Sequence, residues 1–317
     1  MKKTLFIALA LMMSFISCAK QSKSYAQDGA VAKDRMESAD FDVPPAFAVY
    51  VKGQPLFVPF NEGDVLSKGE QLKSNPGKYT KFIIGGKCFD VNYKEEKNKE
   101  LEHDDSYLNE YVYQIADQMK GQLYNFANLE AVEQFMQTFG DTTAEGELIT
   151  QDYNYGIIAS ADYMKNRSVV NFMATITEDP EQPQFNPATV AKVEKLVGAK
   201  VLKNRISHVF GDEYNFGIMT TQPNDKYGIA AWVLDKDGEI TVWTDTCQVE
   251  DGQIYWSNYD PDEYNEPGVI AVVKSNDGLD IYCGHADNDE TMNYVLMRQK
   301  GRKMQKFDLG SFYQRYQ

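Results

Sequence analysis

The sequence predicts an α+β protein in which antiparallel sheets carry helices packed on one face and a unit of about 61 residues is repeated in tandem. Tyr153-Asn-Tyr-Gly-Ile-Ile158 recurs as Tyr214-Asn-Phe-Gly-Ile-Met219, an offset of 61 residues. At the same offset Leu129, Val132, Glu133, Phe135 and Met136 map without a gap onto Val190, Val193, Glu194, Leu196 and Val197, one helix face written twice. Between and beyond these stretches run short apolar segments of period two, separated by Gly, Pro, Asn and Asp, as strands and turns require.

Taken in order, Met1-Lys-Lys followed by the apolar run Leu5 to Ile16 has the charged start and short apolar stretch of a secretory signal. This run of twelve residues falls short of the roughly 20 that span a bilayer. Residues 1–17 are therefore read as a signal peptide and 18–42, polar and without period, as a flexible tether. Residues 43–127 form an N-terminal part. Its strands are Ala46 to Val51 and Pro55 to Phe60 around a Gly53 turn, then Lys81 to Ile84 and Lys87 to Val91 around Gly85-Gly86. Pro55 and Pro59 predict an edge strand, and Tyr93 to Asp105 reads as a solvated connector. Leu108, Tyr111, Val112, Ile115 and Met119 then lie on one face of a helix.

Residues 128–249 hold the duplicated units. Asn128 caps the helix Leu129 to Phe139, which Gly140 closes; Asn186-Pro187 opens the helix Val190 to Val197, which Gly198 closes. Each is followed by the Tyr-Asn-aromatic-Gly strand, read as laid against that helix with Gly156 and Gly217 allowing the close approach. A further strand follows each, Ser168 to Ile176 and Tyr227 to Leu234. In the second copy Asp235-Lys-Asp-Gly238 leads into Glu239 to Trp243. A helix followed by such a meander, with that turn, resembles the units of PepSY-type and beta-lactamase-inhibitor-like domains. The resemblance covers residues 129–245 and implies a sheet with helices on one face; it carries over no functional residue. Residues 250–317 are β-rich, with strands at Gly252 to Ser257, Gly268 to Val273, Leu279 to Cys283 and Met292 to Met297, and 128–317 can be read as one domain. The basic segment Arg298 to Lys306 is read as docking onto the acidic body.

Phe15-Ile16-Ser17-Cys18 resembles the lipobox of bacterial lipoproteins, with Phe15 standing where those boxes usually carry Leu. That resemblance implies a lipid on Cys18, and Ala19 after it implies the outer membrane. Ordinary cleavage after Ala19 or Ala26 is the alternative. The whole chain carries a net charge of −15. Without residues 1–17 it has 30 basic against 47 acidic residues, a net −17. Such a field repels phosphates, which excludes nucleic acid and leaves the membrane contact to the N-terminal lipid.

No stretch assembles a recognisable catalytic set, and neither a metal site nor a cofactor is read from it. His103, His208 and His285 are the only histidines; His208 alternates with Ile206 and Phe210 and reads as a sheet-face residue. Cys247 and Cys283 are a candidate disulfide, and Cys88 reads as a buried small hydrophobe. Asp235 to Gly238 reads as a hairpin turn in preference to a calcium loop, and Asp287, Asp289 and Glu290 beside His285 as a second acidic turn. The ligand-binding candidates are Tyr255, Trp256, Tyr259, Asp260, Asp262, Tyr264 and Glu266, where rings and carboxylates share one loop. Sugars stack their C–H faces on such rings while carboxylates accept from their hydroxyls. The expectation is an exported, lipid-anchored envelope protein that binds a protein or glycan without catalysis; a secreted hydrolase using acidic residues is the alternative.

Overall fold

The structure, a computed structural model, describes residues 43–60, 73–97, 121–140, 153–175, 183–223, 227–250, 253–254, 268–288 and 291–313. The chain begins with β1 (Ala46–Val51) and β2 (Leu56–Pro59), a hairpin turned at Gly53, where φ is 74°. A 3₁₀ turn (Pro76–Lys78) leads into β3 (Tyr79–Ile84), β4 (Lys87–Lys97) and β5 (Gly121–Phe126). Helix α1 (Leu129–Gly140), capped by Asn128 Oδ1 accepting from the Ala131 N–H at 3.1 Å, precedes β6 (Tyr153–Ser160). These six strands close a barrel in the order β1-β2-β5-β4-β3-β6, every pair antiparallel. Alternation sorts their side chains. Ala48, Tyr50, Leu56, Val58, Phe82, Tyr124 and Ile158 pack together in one cluster with Val132, Phe135 and Met136 of α1, while Phe47, Val49, Ile83, Ile157 and Ala159 belong to another.

After β6 come α2 (Ala161–Met164), β7 (Ser168–Val169), β8 (Phe172–Ala174), α3 (Pro187–Val197), β9 (Val201–Phe210), β10 (Tyr214–Thr221), β11 (Tyr227–Lys236), β12 (Glu239–Glu250) and β13 (Gln253–Ile254). The last four strands are β14 (Gly268–Lys274), β15 (Leu279–Asn288), β16 (Thr291–Lys300) and β17 (Lys303–Tyr313). One sheet has the order β13-β12-β11-β10-β9-β8 and the other β17-β16-β15-β14-β7. The short strands β7 and β8 thus belong to different sheets, and residues 170–171 step the chain from one to the other.

The five-stranded sheet is the middle layer, buried on both faces. Ala271, Val273, Tyr282, Tyr294 and Leu296 pack against the second barrel set, Phe47, Val49, Ile83, Ile157 and Ala159. The alternate residues Val272, Ile281, Cys283, Val295 and Met297 pack against Phe210, Phe216, Ile218, Trp232 and Leu234 of the six-stranded sheet. The far face of that sheet, Met219, Ile229, Ala231 and Val233, is covered by Val193 and Val197 of α3. Each large apolar side chain so buried stabilises by about 1.5–3 kcal/mol.

The α+β expectation is therefore corrected: the described chain is mostly strand, a closed barrel and two further sheets with three helices. Of these helices α3 covers the outer face of the six-stranded sheet, α1 packs into the barrel cluster, and α2 sends Tyr163 between the barrel and the middle layer. The 61-residue offset does relate β6 to β10, whose bounds match residue for residue. The two strands nevertheless do different jobs. β6 closes the barrel between β1 and β3, partners from much earlier in the chain, whereas β10 lies between its sequence neighbours β9 and β11. Similar local patterns specify a helix and a strand, and non-local pairing decides which sheet they join. Strand β2 is likewise not an edge, since barrel closure pairs all four of its residues with β5. The expected helix around Leu108 to Met119 lies outside the described residues.

Both glycines of the repeated stretch serve close approach between neighbouring strands, not between strand and preceding helix as expected. A Cβ on Gly217 would lie 2.1 Å from the Arg205 carbonyl oxygen, at a register shift between β9 and β10. One on Gly156 would lie 2.3 Å from the Phe82 ring. The β3–β4 hairpin tip is held similarly tightly against the middle layer. The Gly85 N–H donates to the Ile270 carbonyl at 3.1 Å, and a Cβ on Gly86 would strike Asn171.

Candidate functional site

Tyr255, Trp256, Tyr259, Asp260, Asp262, Tyr264 and Glu266 lie outside the described residues, as does Cys18. The flanking strands locate where that segment starts and finishes. It leaves β13, the outermost strand of the six-stranded sheet, and returns at β14 in the middle layer. His285 and Asp287 fall in β15 with side chains outside the description, and Asp289 and Glu290 lie beyond it.

Cys283 is 1% exposed on β15, and its thiol is free. Burial pushes that thiol up, so it remains protonated and inert. Cys247 lies on β12 opposite Gly228, and its side chain is outside the description. Cys88 is exposed on β4, not buried as expected, although its cross-strand partner Ile83 is fully buried.

Asp235 to Gly238 is a two-residue hairpin turn with φ of 52° at Asp237 and 82° at Gly238. Asp235 is buried and its carboxylate is used twice. Oδ1 accepts from the Gly238 N–H at 2.8 Å, and Oδ2 accepts from the Thr189 hydroxyl at 2.6 Å, which ties α3 to the sheet. His208 is buried beside Phe172 and Phe210, with Nδ1 3.1 Å from the Ser207 hydroxyl. Burial pushes its pKa down to about 4, which keeps the ring neutral.

The principal polar cluster of the described structure joins residues the sequence does not single out. Tyr163 on α2, Arg167 just beyond it, Asp280 and Tyr282 on β15 and Arg298 on β16 meet between the barrel and the middle layer. Arg298 Nε donates to Asp280 Oδ1 at 2.6 Å and Nη2 to Oδ2 at 2.8 Å, a two-bond pairing of the kind the guanidinium fork favours. The Tyr163 hydroxyl donates to Asp280 Oδ2 at 2.8 Å. Its 2.8 Å contact with the Tyr282 hydroxyl therefore has Tyr282 as donor, since Tyr163 has one proton to give. Arg167 lies 4.4 Å over the Tyr163 ring and donates from Nη1 to the Tyr163 carbonyl at 2.8 Å.

Burial and the neighbouring Asp280 hold both phenols well above their ordinary range, so they stay protonated. Around Arg298, burial opposes the charge while the bonds to Asp280 favour it, and the guanidinium remains cationic. With its oxygens engaged by a guanidinium and a phenol, Asp280 acts as a structural tie. One signal pointed to it: Asp280 falls inside the apolar run Leu279 to Cys283, and Arg298 directly follows the apolar run Tyr294 to Met297.

A second cluster lies at the surface. Glu213 accepts from Lys236 at 2.7 Å and from Lys274 at 3.3 Å, both over the Tyr214 ring. It links the two sheets and contributes little beyond that link, being exposed to solvent. The basic segment Arg298 to Lys306 is not a tail laid on an acidic body but the β16–β17 hairpin of the middle sheet. Arg298 pairs with Asp280, Arg302 reaches Glu239 at 3.7 Å, and Lys306 lies 4.8 Å over Trp243. Among the described residues no three His, Cys, Asp or Glu side chains gather as a metal ligand set. Comparison with models of known protein families, with curated proteins and with solved structures gives no match to this chain.

Proposed function

We propose that the chain is an exported envelope protein, held at the outer membrane by a lipid on Cys18, with a non-enzymatic binding or scaffolding role toward a protein or glycan. The observation that carries this reading is how the fold uses its buried ionisable groups. Asp235 ties a helix to its hairpin, Asp280 is claimed by Arg298 and Tyr163, and His208 is held neutral among aromatic rings. A proton-transferring enzyme keeps such groups facing its substrate; here they face the fold. The ligand face is Tyr255 to Glu266, an aromatic and acidic connector between two sheets, where rigid strands on either side would fix its ends.

Two experiments test the reading. On a glycan array, wild type should be retained on particular glycans and Trp256→Ala/Tyr259→Ala should lose that retention; unchanged retention removes the loop from the proposal. Radiolabelled fatty acid should enter wild type and not Cys18→Ala. The absence of label from both refutes the anchor.

A further inference from the structure

The end of the middle layer beside α2 carries more positive charge than its own acids offset. Arg167 and Arg298, with side chains 11% and 10% exposed, both approach Asp280, 7% exposed. Arg298 takes both carboxylate oxygens with its fork, and the Tyr163 hydroxyl adds a bond to Oδ2. Arg167 is left with its Nε 3.9 Å from Oδ2 and without a hydrogen-bond partner; the bond it does make runs from Nη1 to the Tyr163 carbonyl. A guanidinium does not shed its proton as a buried lysine can, so one carboxylate leaves two guanidiniums with an uncompensated charge.

The strand register brings further cations to the same face. Alternation along β16 puts Lys300 on the face of Arg298, and pairing with β17 sets Lys303 directly opposite Lys300 and Gln305 opposite Arg298. All three of Lys300, Lys303 and Gln305 are exposed, so the barrel that covers the rest of this face stops short of them. Among the described residues neither lysine has an ion-pair partner, although like charges facing each other across a ladder repel. Gly278 enters β15 against the Gln299 carbonyl oxygen and brings no side chain to this end of the sheet. The exposed acids of the adjoining turns, Asp162 and Asp277, are outnumbered by Lys165, Lys300 and Lys303.

We propose that this end of the middle layer binds a phosphate group, free or carried as a monoester, through Arg167, Lys300 and Lys303. A phosphate monoester is close to dianionic at neutral pH, so it offsets the surplus guanidinium charge and separates the two opposed lysines at once. Its oxygens accept from donors that converge from different directions, whereas a carboxylate suits one planar fork, the use Arg298 already makes of Asp280. The net charge of −15 does not forbid this, because the field of the distant acids is screened beyond about 8 Å at physiological ionic strength while these donors act in contact. The site is separate from Tyr255 to Glu266 and depends neither on the envelope reading nor on a lipid at Cys18.

The test is calorimetric titration of the full chain with inorganic phosphate, with glucose 6-phosphate and with acetate, in chloride buffer. Saturable binding of the two phosphates, weakening as salt is added, with none of acetate over the same range, is the expected result. Lys300→Ala/Lys303→Ala changes exposed side chains only, so it should leave the urea midpoint unmoved and raise the Kd for phosphate at least about tenfold, the loss of one charged hydrogen bond. Arg167→Lys, which keeps the charge and removes the fork, should weaken binding as well. Tighter binding of glucose 6-phosphate than of phosphate supports the site and assigns it to an ester; equal binding supports it and assigns it to the free anion. An unchanged Kd in Lys300→Ala/Lys303→Ala identifies an adventitious ion only and overturns the proposal. So does the absence of saturable phosphate binding, or acetate binding as tight as phosphate.

Discussion

Asp280 and Arg298 stand directly opposite each other on adjacent antiparallel strands and are joined by two hydrogen bonds of 2.6 and 2.8 Å. Both side chains are buried, 7% and 10% exposed, so removing one leaves the other charged without its partner in a poorly hydrated place. Arg298→Leu should therefore cost about 3–5 kcal/mol, measured by urea unfolding, while Asp280→Leu/Arg298→Leu should cost less than the two single changes combined. A loss below about 1 kcal/mol for Arg298→Leu would show that the pair is not a structural tie.

Gly217 and Gly77 give an internal contrast. Alanine at Gly217 places a methyl 2.1 Å from a backbone oxygen, whereas alanine at Gly77 meets nothing within 4 Å. Gly217→Ala should lower stability by about 2 kcal/mol or more, and Gly77→Ala should stay within about 0.5 kcal/mol of wild type. Equal denaturation midpoints would contradict the close approach of β9 and β10.

Acid should weaken the fold through His208. In the folded chain it titrates near pH 4, against about 6.5 in the unfolded chain. Between those values the unfolded chain binds a proton that the folded chain refuses. The contribution is thus complete above pH 6.5 and falls as the pH drops, with about 3 kcal/mol given up by pH 4. His208→Phe, set among Phe172 and Phe210, should flatten that part of the profile. Parallel stability curves for the two proteins from pH 7 to 4 would rule out this role.

Thr189→Val removes a hydroxyl that donates to buried Asp235. The carboxylate keeps the Gly238 N–H but loses the donor from α3, at a cost of about 1–3 kcal/mol. Amide exchange should quicken in α3 ahead of β11; uniform exchange across both would place the effect elsewhere.

The strand pattern was legible wherever a strand is buried on at least one face and ends in a recognisable turn. Gly53, Gly85-Gly86 and Asp237-Gly238 announced three hairpins, and Gly268 to Val273, Leu279 to Cys283 and Met292 to Met297 named three strands of the middle layer. What escaped did so for physical reasons. The outer half of β4, Lys94 to Lys97, is charged because it stands in solvent, and so it read as a connector. β17 spaces Met304, Phe307 and Leu309 among lysines and read as a tail. Strand β6 finds β1 and β3 across long stretches of chain, which no local period encodes. The Asp280–Arg298 tie needs the register of β15 on β16 before either residue acquires meaning.

The middle layer also sets the timetable of folding. β14 to β17 come after the barrel strands and the six-stranded sheet in the chain, yet they fill the space between them. During synthesis the earlier parts must wait with two uncovered apolar faces, one on each side of a gap that β14 to β17 will occupy. A chain interrupted before that point exposes both faces at once and is prone to associate through them. Completion of the fold is thus coupled to delivery of the whole chain.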